Sequence, residues 1–167
     1  MVPFEEPFAV GMVLTQPPAA TDAGGPTARR VETAEEQLAG DRITKECFGM
    51  PIEPAADDLD RASRAIEGDR VSGAGANFLA FLDGDPVAAA RATFAEAGVV
   101  LNAGCTLPRA RGRGAYRALV AARWDKAVHR DTPALITQAG GMSRLILQRL
   151  GFREVAEIRI FLDDAAS

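Results

Sequence analysis

The residues best suited to chemistry lie together in one short loop. Arg111, Gly112, Arg113 and Gly114 follow an apolar run of β type that ends at Pro108, and an amphipathic helix follows them. Glycines let the backbone turn sharply and approach a ligand, arginines add positive charge, and a helix N-terminus presents free N–H groups. These residue types in this order predict an anion-binding loop.

The surrounding pattern predicts the elements that position this loop. Strands are predicted at residues 8–15, 29–32, 76–82, 86–94, 98–107, 134–138 and 152–162, and helices at 33–47, 57–66, 114–130 and 142–150. Thr33 with Glu36 forms a capping-box pattern, and Asp83-Gly84-Asp85 indicates a tight turn between two strands. Residues 17–26 are rich in Pro, Ala and Gly, which predicts a flexible connector. The glycines at 68, 73 and 75 are interpreted as a loop.

Composition limits the class of protein. A chain of 167 residues with 47% hydrophobic content suits one well-cored domain, and a net charge of -4 with a pI near 5.1 argues against nucleic-acid binding. Cys47 and Cys105 lie far apart in the sequence and His129 is the single histidine, so neither a zinc site nor a disulfide framework is expected. Without a long apolar run or a basic N-terminal segment, we expect a cytoplasmic protein that binds no metal and no membrane.

The order of these elements resembles the GNAT superfamily of acyl-CoA-dependent N-acetyltransferases. The similarity covers residues 29–162 and depends mainly on TLPRARGRG, at positions 106–114, and on LGF, at positions 150–152. The longer motifs RGRGAYRAL and MSRLILQRLGF are similar to a subgroup whose members often carry a second, upstream GNAT-like half. The resemblance implies an α+β (α/β) fold with a central mixed, mostly antiparallel sheet, splayed at its middle strands and flanked by helices.

The resemblance also implies where an acyl-CoA would bind. In this family, backbone amides of the glycine-rich loop hold the pyrophosphate, and the preceding strand binds the pantetheine arm and polarises the thioester carbonyl. Tyr116 departs from the small residue usual at the end of the loop pattern. The implied set for binding acetyl-CoA is Gly104, Cys105, Thr106, Arg111, Gly112, Arg113, Gly114, Ala115, Tyr116 and Arg117.

The catalytic positions of the family are poorly matched in this chain. Leu147 stands where members often carry the Tyr that protonates the departing thiolate, and Gly140 replaces a usual Asn. A thiol with a pKa of about 8.5 is a tolerable leaving group near neutral pH, so the loss should slow the reaction rather than abolish it. The candidates for the missing acid are Ser143, Tyr116 and Cys105.

Each of these sites also has a structural interpretation. The loop arginines could be solvated charges, Tyr116 could pack in the first turn of its helix, Cys105 could be a buried strand residue, and Ser143 could cap a helix. Leu119, Val120, Trp124 and Val128 share a helix face and are predicted core residues. No general base is assigned, although Glu46, Asp57 and Asp58 fall on the segment that usually lines the acceptor side in this family.

Two main functions remain open from the sequence, beside a third in which Tyr116 blocks the cleft and the fold serves only as an oligomerisation unit. The first is an N-acetyltransferase that transfers the acetyl group of acetyl-CoA to an amine, on a small molecule or a peptide, by direct attack; a homodimer is compatible with it. The alternative is a CoA-binding or protein-interaction module of the same fold with lost or weak catalysis.

The N-terminal region raises a question of topology. We divide the chain into residues 1–27, an N-terminal strand with a flexible connector, and residues 28–167, the GNAT-like domain. The family's fold ends with two strands, but only one is predicted after the last helix. The strand at 8–15 is therefore expected to fill the empty position between the strands at 134–138 and 152–162. Pairing elsewhere in the domain would contradict this expectation.

Overall fold

A computed structural model describes residues 2–3, 9–19, 24–159 and 161–162 of the chain. The strands in these ranges are β1 (Val2–Pro3), β2 (Ala9–Leu14), β3 (Thr27–Arg30), β4 (Gly75–Leu82), β5 (Asp85–Ala95), β6 (Gly98–Thr106), β7 (Leu135–Ala139), β8 (Arg153–Ile158) and β9 (Phe161–Leu162). The helices are α1 (Ala34–Cys47), α2 (Asp58–Ser72), α3 (Ala115–His129) and α4 (Gly141–Arg149), with a 3-10 turn at Pro108–Ala110.

Seven strands form one sheet in the order β3-β4-β5-β6-β7-β2-β8. Every neighbouring pair is antiparallel except β6 and β7, which are parallel. Successive residues of β5 point to opposite faces, so Ala88 and Ala90 join the main core beneath α3, whereas Ala89 joins a smaller cluster beneath α1. The mixed, mostly antiparallel sheet with flanking helices confirms the predicted fold class.

The sheet opens between β6 and β7. These strands pair only at Val99 with Leu135 and at Val100 with Ile136. Beyond that point the Thr137 hydroxyl donates to the Leu101 carbonyl at 3.2 Å, and β6 continues to its end without pairing to β7. The predicted splay at the middle strands is therefore confirmed.

The N-terminal strand occupies the predicted position. β2 pairs with β7 on one side and with β8 on the other. A Cβ at Gly11 would lie 3.3 Å from the Cβ of Ala156, so this glycine permits the close approach of β8 at the point where the register shifts. Met12 beside it is completely buried. The division of the chain at residue 28 stays a prediction.

Several predicted boundaries were wrong. α2 continues through Gly68 to Ser72, because Gly73, with φ +63°, is the residue that ends it. The strand expected at 152–162 is two strands: β8 ends where its partner β2 begins, and β9 pairs instead with β1. Val128 is 47% exposed rather than in the core, unlike the other three residues predicted with it.

The first helix begins as its capping pattern predicts. The Thr33 hydroxyl accepts a hydrogen bond from the Glu36 amide at 3.3 Å. The Glu36 carboxylate accepts from the amide of Glu32, one residue earlier than an ideal capping box requires. None of the helices in the described ranges is long and apolar enough to cross a membrane.

Candidate functional site

The predicted anion loop joins β6 to α3 by a sharp reversal. After the 3-10 turn, Gly112 has φ +75° and Gly114 has φ +89°, and α3 begins at the next residue. Residues with a Cβ rarely adopt these angles, so the two glycines are what allow the helix to begin here. The loop and the start of α3 thus lie directly at the end of the unpaired part of β6.

Among the described residues, a run of six backbone N–H groups at this junction has no hydrogen-bond acceptor. The amide of Ala118 donates to the Gly114 carbonyl at 3.0 Å and is the first hydrogen bond of α3. In the part of the chain that the structure describes, no amide from Gly112 to Arg117 has a hydrogen-bond acceptor, and Gly114 supplies no side-chain cap. Free amides at the positive end of a helix dipole form an anion-binding site.

The two loop arginines have different surroundings. The Arg111 guanidinium donates from Nε to the Thr106 carbonyl at 3.3 Å, which fastens the loop to the end of β6. Arg113 is about half exposed and lies 3.5 Å from the still more exposed Asp83. An ion pair this open to water is weak, so the Arg113 charge remains available to an anion.

The unpaired edge of β6 lies beside this loop. Ala103 has φ +47°, and the register with β5 shifts at this point, which marks a β-bulge. Cys105 and Thr106 pair with β5 on one side, and Gly104 lies in the bulge. On the β7 side, none of these three has a strand partner among the described residues. Such an edge offers backbone donors and acceptors to an extended ligand.

Tyr116 covers the α3 face of this edge. A Cβ at Gly104 would lie only 2.9 Å from the Tyr116 ring, so the glycine makes room for it. Burial raises the pKa of Tyr116, which keeps its hydroxyl protonated at neutral pH. The structural interpretation of Tyr116 as a packed residue is thus consistent with its surroundings, and its hydroxyl lies near the Arg123 guanidinium.

Arg123 is a residue that sequence reasoning missed. It is completely buried and donates to the carbonyls of Leu119 at 3.0 Å and Arg91 at 3.4 Å. Its Nη2 has no hydrogen-bond partner among the described residues, and burial lowers its pKa to about 10. The available signal was a single charge on the apolar face of α3, two turns after Tyr116.

The structure separates the three predicted catalytic residues. Cys105 packs in the cluster beneath α1, on the face of β6 opposite Tyr116. The Ser143 hydroxyl donates to the Gly140 carbonyl at 3.3 Å, within the first turn of α4. Leu147, which the resemblance places where the family often carries its acid, is buried in the main core and can donate no proton.

The two cysteines are closer than their sequence separation suggested. Cys47 ends α1 and packs in the same cluster as Cys105. Burial, together with the neighbouring Cys105 thiol, raises the pKa of Cys47 to about 12. Within the described ranges, no group of three or more His, Cys, Asp or Glu residues is placed to hold a metal ion.

A cavity of about 200 Å³ opens on the α1 side of the sheet. It extends from Gln37 and Asp41 on α1 to Arg91 on β5 and to the bulged Ala103 on β6. The cavity therefore reaches the same strand as the amide-lined loop, but from the opposite face.

The carboxylates considered from sequence do not line this cavity. Glu46 lies 3.6 Å from Arg109, and Asp57 and Asp58 both pair with Arg61. Asp41 lines the cavity instead, and no sequence motif had indicated it. Its position depends on how α1 crosses the sheet, which the spacing of residues along α1 does not specify.

Comparison with known proteins supports the fold. No family model and no curated protein matches the chain. Among solved structures, it is similar to a GCN5-related N-acetyltransferase from Kribbella flavida (20% identity, TM-score 0.61, 93% of this chain and 56% of that one). It is also similar to a putative acetyltransferase of the GNAT family from Novosphingobium aromaticivorans (17% identity, TM-score 0.59, 90% and 61%).

A third structure is similar over nearly its whole length. It is AAC(6')-Iy in complex with a bisubstrate analogue, CoA-S-monomethyl-acetylneamine (20% identity, TM-score 0.64, 84% of this chain and 99% of that one). The chain thus spans little more than half of the first two structures and nearly all of the third. At these identities the similarity shows that the chain has the GNAT fold.

Proposed function

We propose that this protein is an N-acetyltransferase that transfers the acetyl group of acetyl-CoA to an amine. The observation that carries the proposal is the run of free amides from Gly112 to Arg117, beside the unpaired edge of β6. Proteins of this fold include acetyltransferases, and one was solved with a bisubstrate analogue that contains CoA. Fold alone does not specify function, so the proposal depends on this site.

Acetyl-CoA would contact the loop with its pyrophosphate and the strand with its pantetheine arm. The amides from Gly112 to Arg117, including those of Ala115 and Tyr116, would bind the pyrophosphate, and the Arg113 charge would strengthen this contact. The pantetheine arm would lie along Gly104–Thr106 as an additional strand. Arg111 would act mainly by fastening the loop to Thr106.

The reaction requires attack by a neutral amine on the thioester carbon. An N–C bond forms, the C–S bond breaks, and the proton lost by the amine is matched by the one that the departing CoA thiolate gains. Amides at the bulge of β6 would stabilise the negative charge that develops on the carbonyl oxygen.

Tyr116 is our first choice among the three candidate proton donors to the thiolate. Its hydroxyl stays protonated, and its ring lies against the strand that would bind the pantetheine. Ser143 already donates to a carbonyl of its own helix turn, and Cys105 faces away from α3. Both remain secondary candidates.

A second candidate function is a CoA-binding or protein-interaction module with weak or no catalysis. The buried Leu147, at the position of the usual acid, is the observation that favours it. The two functions agree on CoA binding and differ in turnover. Release of free thiol from acetyl-CoA in the presence of amines distinguishes them, because a module without catalysis would show only slow hydrolysis.

The first test is calorimetric titration of the chain with acetyl-CoA. The variant Gly114→Glu should lower affinity at least about a hundredfold, because it places a negative charge and a strained residue among the free amides. The matched control is Gly73→Glu, which puts the same residue at another positive φ, at the end of α2, and should leave affinity unchanged. Absence of binding by the unaltered chain would contradict the acetyltransferase and a CoA-binding module, and would leave only a protein-interaction module.

A further inference from the structure

A chain of hydrogen bonds crosses the α1 face of the sheet and ends at the cavity. The Arg91 guanidinium donates to both carboxylate oxygens of Asp69, at 2.7 and 2.8 Å, and to the Asn77 side-chain oxygen at 3.4 Å. The Asn77 amide donates to the Gln37 oxygen at 2.9 Å, and the Gln37 amide donates to Asp41 Oδ1, also at 2.9 Å. Each donor in this series fixes the orientation of the next acceptor.

This series of hydrogen bonds fixes one carboxylate at the cavity. Gln37 is only 8% exposed, so its amide cannot turn without losing bonds at both ends. The bond from Gln37 occupies Oδ1 of Asp41. Within the residues that the structure describes, no donor contacts Oδ2 of Asp41, so this oxygen is available to a ligand.

The charges around the cavity leave a net negative site. The charged residues that line it are Arg91 and Asp41. Asp69 neutralises Arg91 through the bidentate pair, whereas no ion pair among the described residues involves Asp41. The remaining lining of the cavity is uncharged. A cation is therefore the ligand whose charge this cavity complements.

We propose that the cavity binds a small acceptor that carries a cationic group in addition to its reacting amine, and that Asp41 pairs with this cation. The inference depends on the acetyltransferase function proposed above, because Ala103, the bulged residue of β6, lines the same cavity. At about 200 Å³ the cavity is smaller than a typical site for a drug-sized molecule, which favours a small diamine over a peptide. Asp41 is a specificity-determining residue in this proposal.

Three amines with the same five-carbon chain test the inference. They are 1,5-diaminopentane, pentylamine and 5-aminopentanoate, which present a second ammonium, a methyl group and a carboxylate at the far end. Each is titrated calorimetrically into the chain, with and without CoA. The diamine should bind about tenfold more tightly than pentylamine, and 5-aminopentanoate more weakly than either.

Substitutions in α1 test whether Asp41 causes the preference for the diamine over pentylamine. Asp41→Asn should remove the difference between the diamine and pentylamine, while acetyl-CoA affinity stays unchanged. Glu35→Gln removes an exposed carboxylate from the same helix but outside the cavity, and should preserve the difference. Asp41 is itself exposed, so its variant should fold, which thermal unfolding verifies.

The outcomes separate this inference from the function on which it depends. Equal binding of the three amines, or a preference that survives in Asp41→Asn, would overturn the inference even if acetyl-CoA binds and turns over. Selective diamine binding that depends on Asp41, in a chain that does not bind acetyl-CoA, would support the cation site and contradict the acetyltransferase.

Discussion

The two faces of β6 carry two different kinds of site. On the α3 side, the proposed binding groups are six consecutive backbone amides, from Gly112 to Arg117, held by two glycines of positive φ. On the α1 side, side chains from α1, β4 and β5 line the cavity, and hydrogen bonds connect them, most of these between residues far apart in sequence.

This difference has a consequence for function. Backbone amides bind any phosphate-like anion and depend little on side-chain identity, so the α3 side suits a cofactor substrate that many proteins share. Side chains determine which partner is accepted, because an unmatched charge or hydrogen bond at a partly enclosed site is costly. The α1 side therefore suits the variable acceptor.

The largest predicted effect concerns the Cys47 thiol, on the α1 face. Burial and the neighbouring Cys105 thiol raise the pKa of Cys47 to about 12, so almost none of this thiol is ionised at neutral pH. Alkylation of Cys47 in the folded chain should therefore be far slower than in concentrated urea, as measured by site-resolved mass spectrometry. The rate should continue to rise with pH beyond 9, and levelling off there would contradict the prediction.

The next largest effect tests the α3 face. Tyr116→Phe removes the hydroxyl but keeps the ring against Gly104, and should lower kcat about a hundredfold if Tyr116 protonates the thiolate. Acetyl-CoA affinity should not change. Ser143→Ala and Cys105→Ala, at the two secondary candidates, should alter kcat less than about threefold. A Tyr116→Phe variant with normal kcat would restrict Tyr116 to packing.

The smallest effect shows whether the two faces are independent. Asp69→Asn removes the carboxylate that neutralises Arg91, and should lower the free energy of unfolding by about 2 kcal/mol in urea titration. Acetyl-CoA affinity should remain within about twofold, because Asp69 contacts nothing at the α3 loop. Glu67→Gln, which disrupts an exposed pair with Arg70, should cost less than about 0.5 kcal/mol. A large loss of acetyl-CoA affinity in Asp69→Asn would show that the faces are coupled.

Much of the fold could be predicted from the sequence because its signals are local. The turn at Asp83-Gly84-Asp85 and the Thr33 cap depend on residues within a few positions of each other, and both elements form as predicted. The position of β2 followed from the resemblance, since one strand of the fold was otherwise missing. The predicted end of α2 was wrong because the helix continues through Gly68, despite the weak helix propensity of glycine, and ends at Gly73 with its positive φ.

The candidate site likewise has one part that the sequence predicts and another that only the structure shows. The loop at 111–114 was recognisable from the sequence, because glycines and arginines between a strand and a helix determine an arrangement of nearby amides. The buried Arg123, the neighbouring cysteines, and the cavity with Asp41 were not recognisable. The sequence by itself determined the loop proposed to bind an anion, because that loop is made by consecutive backbone. Only the tertiary structure decided which carboxylate faces the cavity, because that depends on how α1 packs across strands more than thirty residues away in the sequence.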